Sequence, residues 1–95
     1  MNVYVASAWW RYSDPFVTIV GKTADAVEKA IHRVMKEEAS EAVDSESYDS
    51  IDDALDEIAW SGVHPEKLET LTHSSEAESV KDTLKRSSVA YLEGF

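Results

Sequence analysis

Two stretches near the start of the chain are apolar on both faces. Asn2 to Tyr12 and Phe16 to Val20 are rich in Val, Trp, Tyr and Ile, the composition of strands. Ser13-Asp14-Pro15 between them is a type I turn signal, so the pair reads as an antiparallel hairpin. Side chains alternate across a strand, and the neighbours Trp9 and Trp10 must point to opposite sides of the sheet. Any fold for this chain therefore has to cover two apolar faces. Helices would cover one; a further helix, a second copy or a partner would cover the other. Bare aromatics beside an open strand edge invite pairing, which makes Trp9, Trp10 and Tyr12 candidates for self-association and the chain a candidate homodimer.

The remainder supplies helices. Thr23 is an N-cap candidate with Asp25 in the first turn. Ala24, Val27, Ile31, Val34 and Met35 then fall on one arc at helical period, with Lys29, Arg33 and Lys36 on the opposite arc. Glu38 would fall on the buried side, so the helix is expected to fray near Ser40, with Val43 to Tyr48 a polar connector. Ser50 with Asp53 is a variant capping box, opening a second helix with Ile51, Ala54, Leu55 and Ile58 on its buried side. Ser61-Gly62 and Pro65 end it. Leu68 to Thr72 is expected as a third strand, although Leu68 and Leu71, three apart, also allow a helical turn. Ser75 with Glu78 is a further capping box, for a helix carrying Val80 and Leu84. Ser88 to Phe95 fits either a helical extension or a last strand.

These elements predict one α+β domain over residues 1–95. Its small antiparallel or mixed sheet, the hairpin plus a third strand, has about three helices packed on one face. A hydrophobic content of 43% supports a folded core. Without cysteine, disulfides and thiolate metal sites are excluded. Neither a signal-peptide pattern nor a membrane-length apolar run is present, so a cytoplasmic protein away from membranes is expected.

Charge is the second constraint. Glu37, Glu38, Glu41, Asp44, Glu46, Asp49, Asp52, Asp53, Asp56 and Glu57 are ten acids in a stretch without Lys or Arg. The other nine acids are matched by nine bases, so the formal charge of −10 belongs to this one segment. Salt adaptation spreads acids along a chain and thins out lysine, whereas here they cluster and six lysines remain. A field of this kind attracts a basic protein surface and repels nucleic acid and anionic membranes.

Catalytic and metal readings are weak. An EF-hand loop from Asp44 would place Asp49 where the bend needs Gly and Leu55 where a bidentate Glu belongs. His32 has Glu28 at helical spacing, and His64 and His73 stand near Glu66 and Glu69, but each set also suits a solvated surface. No nucleophile motif or phosphate loop occurs. The expectation is a protein that is not an enzyme, with no metal and no cofactor. Lys29, Arg33 and Lys36 beside Trp9, Trp10 and Tyr12 faintly suit single-strand binding, but the acidic segment opposes phosphate, so no direct nucleic-acid contact is expected.

Acids three or four residues apart on a helix stand about 5–6 Å apart, comparable to successive phosphates. Asp49, Asp53 and Asp56 or Glu57 would form such a row on the second helix, with Trp60 either opposite the apolar stripe as an interface anchor or, if the helix ends at Ala59, folded back to pack beneath Gly62. The ten acids and Trp60 are thus the candidate partner-binding residues. The partner expected is a basic, nucleic-acid-binding surface on a protein or nucleic-acid-processing complex. In size and charge the chain resembles the small acidic phage inhibitors of host defence, anti-restriction and anti-CRISPR proteins among them, although it carries no motif of any such family. The alternative expectation is a small regulatory or ligand-binding α+β domain dimerising through its hairpin.

Overall fold

A computed structural model describes Met1–Leu92; Glu93, Gly94 and Phe95 lie outside the described residues. The fold is α+β, with an antiparallel five-stranded sheet and four helices. The elements are β1 (Asn2–Trp10), β2 (Pro15–Gly21), α1 (Ala24–Asp44), α2 (Ile51–Asp56), β3 (Ile58–Trp60), β4 (His64–Lys67), α3 (Leu68–Leu71), α4 (Ser74–Arg86) and β5 (Val89–Leu92).

The hairpin is the middle of the sheet. β1 pairs with β2 on one side and with β3 and β4 end to end on the other, and β2 pairs with β5. Both hairpin edges are therefore occupied, and the open edge expected to drive self-association does not exist there. The reversal also sits elsewhere than expected. The Ser13 N–H donates to the Trp10 carbonyl at 3.0 Å, which puts Arg11 and Tyr12 at the bend and Pro15 inside β2.

Helices cover both faces, not one. Ala6, Ala8 and Ile19 face α1 and α2, packing with Val27, Ile31 and Met35. Val3, Val5, Val20 and Leu92 face the other way, against Leu68, Val80 and Leu84 of α3 and α4. A single sheet with both faces buried explains why the hairpin has no polar side. Trp10 joins the α1 side, while half-buried Trp9 belongs to neither cluster. It lies beyond the Ser7–Thr18 hydroxyl pair (2.8 Å), where cover from α4 has ended.

Several local signals work as expected. The Thr23 and Ser50 hydroxyls accept from the Ala26 and Asp53 amides, as N-caps do. Others lose to tertiary context. Leu68 to Leu71 takes the helical turn that its spacing also allowed, and the strand is the preceding His64–Lys67, whose Pro65 is tolerated at a sheet margin. The Ser75 capping box is unused, because α4 starts two residues early with His73 as N-cap and no side-chain bond. The tail forms β5 over Val89–Leu92.

Gly21 joins β2 to α1 at a close approach. A Cβ there would lie 2.7 Å from Val27 Cγ2 and 2.9 Å from the Ser88 carbonyl oxygen. Gly21→Ala is expected to lower stability by about 1–3 kcal/mol through overpacking, read from a denaturant melt; an unchanged midpoint would contradict this crowding.

Candidate functional site

The acidic segment collects at the hairpin-turn end of an elongated molecule of 42 × 22 × 20 Å. Three elements build this end: the last turns of α1, the loop 45–50 and α2. Trp10 at the end of β1 ties the first two together. Its indole N–H donates to Glu38 Oε1 at 3.3 Å, and its ring stacks on Tyr48 at 5.6 Å and 8°. This contact answers the expectation that α1 frays at Ser40. Glu38 does turn inward, but it has a donor waiting, and the helix runs unbroken to Asp44.

The helix then stops in a Schellman motif. The Glu46 N–H donates to the Val43 carbonyl and the Ser47 N–H to the Ala42 carbonyl, both at 3.0 Å, with Glu46 at φ 64°. That left-handed position usually belongs to Gly. The other non-glycine residue with positive φ among the described residues is Tyr12, at φ 65° in the hairpin turn. Both conformations carry strain, and both lie at the acidic end. The turn is tied to the acids directly: the Arg11 N–H donates to the Glu57 carbonyl at 2.9 Å, and the two side chains meet at 3.9 Å.

Eight of the ten acids are exposed; Glu38 and Glu57 are half-buried. Among the described residues the Arg11–Glu57 contact is their one ion pair. The row of carboxylates differs from that expected. α2 has only six residues, so Asp49 precedes its cap and Glu57 closes it. The longer rigid row is Glu37, Glu41 and Asp44, at spacings of four and three on the exposed side of α1. Its C-terminal turn carries no basic residue, although carboxylates there oppose the helix dipole.

Trp60 is not on the acidic helix face. α2 ends at Asp56, and Trp60 lies in β3 paired with Ala8, half-buried on the α1 side with its ring edge-on to His32 at 4.8 Å. The exposed aromatic at this end is Tyr12, with a relative exposure of 103%. The Ser13-Asp14-Pro15 turn signal hid it, because the bend lies two residues earlier, at Arg11 and Tyr12.

Three basic groups lie apart. Lys22, Lys85 and Arg86 line one groove at the start of α1, separated from the acids by a helix about 31 Å long. No protein-family model, curated protein or solved structure matches the chain. Among the described residues no three His, Asp or Glu side chains converge to hold a metal, and no helix is long and apolar enough to cross a membrane. One carboxylate away from this end is strongly perturbed. Glu69 is held down to about 2, first by a hydrogen bond from the Met1 amine, then by its own backbone N–H, with Lys81 adding attraction.

Proposed function

We propose that the acidic end is a docking surface for a basic, nucleic-acid-binding face of a partner protein, which it occludes in the manner of a nucleic-acid mimic. A phage-type inhibitor of host defence, directed at restriction or CRISPR machinery, is the concrete form of this reading. The observation that carries it is the gathering of ten carboxylates with one marginal ion pair at a single end of the molecule. A fold indifferent to that charge would gain by neutralising it. The α1 row keeps its carboxylates on a rigid helix, so no tail has to be ordered on binding, and ordering costs are a large share of what association must overcome. Lys22, Lys85 and Arg86 at the far end make the molecule strongly dipolar, which would orient the acidic end toward a cationic target during approach.

Tyr12 replaces Trp60 as the apolar anchor in this reading. It is exposed at the apex beside Arg11 and Glu57, and Tyr is enriched among interface hot spots. Tyr12→Gly should relieve the left-handed backbone and stabilise the fold by about 1 kcal/mol. It should also weaken partner binding by about 2 kcal/mol. A melt beside a binding titration reads both; unchanged binding would remove Tyr12 from the surface.

The deciding experiment is affinity capture from the natural host, with and without excess duplex DNA. Recovery of a nucleic-acid-binding protein that the duplex displaces supports the proposal. Recovery of the same proteins by a chain with all ten acids replaced by Asn or Gln would refute it.

A further inference from the structure

The two margins of the sheet are built differently. On the β3–β4 side the strands are three and four residues long, with Gly62 between them and Pro65, Glu66 and Lys67 in β4. Short strands, proline and charge are the usual defences of an edge against another strand. The β5 strand is as short as β4, at four residues, but within the described residues it carries neither proline nor charge. Val89-Ala90-Tyr91-Leu92 pairs only with β2 among the described residues.

Grooves flank this edge on both faces. Toward α4 a groove of about 840 Å³ runs along β5, lined by Ser79, Val80 and Thr83 with Val89, Ala90 and Tyr91. Toward α1 a groove of about 440 Å³ is lined by Asp25, Lys29, Ala30 and Arg33 with Val89, and Asp25 already pairs with Lys29 at 3.1 Å. Arg33 reaches the Tyr91 hydroxyl at 3.3 Å and forms no ion pair among the described residues, and that hydroxyl raises its pKa further. An added strand places alternate side chains on opposite faces, so each groove would receive every second residue.

We infer that the β5 edge accepts an extended segment of another protein by strand addition, with acidic residues at alternate positions on the Arg33 side and uncharged branched residues between them facing α4. Main-chain hydrogen bonds supply affinity in this mode and the grooves supply sequence preference. Charge argues against a second copy as the occupant. Antiparallel β5–β5 pairing about a two-fold axis keeps the α1 layers on the same face and brings Arg33 of one copy toward that of the other, and like charges across paired strands are destabilising. The site is independent of the acidic end.

The test is a titration of the isotope-labelled chain with a capped hexapeptide of alternating Val and Asp, followed amide by amide. Controls are the alternating Val and Lys hexapeptide and a block peptide of three Val then three Asp. Expected are shifts and slowed hydrogen exchange confined to Val89–Leu92 and the flanking grooves. Arg33→Glu should weaken binding roughly fivefold, the worth of an exposed ion pair. The Val and Lys peptide should then become the better ligand. The inference is overturned if millimolar Val and Asp peptide leaves these amides unmoved, or if the block peptide binds equally. It is also overturned if Val89–Leu92 shift with protein concentration alone, which would assign the edge to a second copy.

Discussion

Trp10→Ala is expected to cost about 3 kcal/mol of folding stability, near the low end for a truncated core aromatic because the ring is half-buried. One side chain serves three neighbours. It packs on Phe16 at 6.4 Å, stacks on Tyr48 and donates to Glu38. Removing it leaves a cavity between β1 and α1 and a half-buried carboxylate without its donor. The loss should be local as well as global. Loop 45–50 is held by Tyr48, so its amides should exchange faster than the rest of the fold permits, and the acidic end should lose its fixed shape. Trp10→Phe keeps an aromatic ring but removes the N–H and part of the packed surface, for about 1–2 kcal/mol. Denaturant melts of both variants, with exchange rates for the loop, check this. A loss under 1 kcal/mol for the alanine variant would mean that Trp10 does not tie the loop to α1.

The same contact marks how far the sequence could be read. Patterns carried by residues near in sequence were legible: the hairpin strands, the apolar arc of α1, and the Thr23 and Ser50 caps. Opposite orientations for Trp9 and Trp10 followed from strand geometry alone. What failed depended on partners far along the chain. Glu38 looked like a reason for α1 to fray because its donor lies 28 residues earlier. Trp60 looked exposed because a helical wheel was continued past Asp56, where three residues instead add a strand beside Ala8 to Trp10. Apolar residues on both hairpin faces were read as an opening for self-association, although α3 and α4 account for most of the second face. The concentration of charge was plain in the sequence. That its most rigid row stands on α1 became visible only once the helix was seen to continue.

Replacing Glu37 and Glu41 by Gln, and Asp44, Asp49 and Asp56 by Asn, is expected to slow partner association at low salt by about tenfold or more, within the 10–10³ range of electrostatic steering. Salt dependence of the rate should flatten with it, while dissociation changes less, since exposed charges act mainly on encounter. The variant should be no less stable than the parent. All five side chains are exposed and none has an ion pair among the described residues. Glu41 and Asp44 lie in the last turn of α1, where each carboxylate opposes the helix dipole by about 0.3–1 kcal/mol, so neutralising them should raise the melting midpoint. This divergence is what distinguishes a selected docking surface from an ordinary solvated one. If the acids served the fold, stability would fall; if they served nothing, association would stay as fast at low salt as the parent's. A chain that becomes more stable and binds more slowly has been keeping its charge, at a cost to its own helix, for the partner.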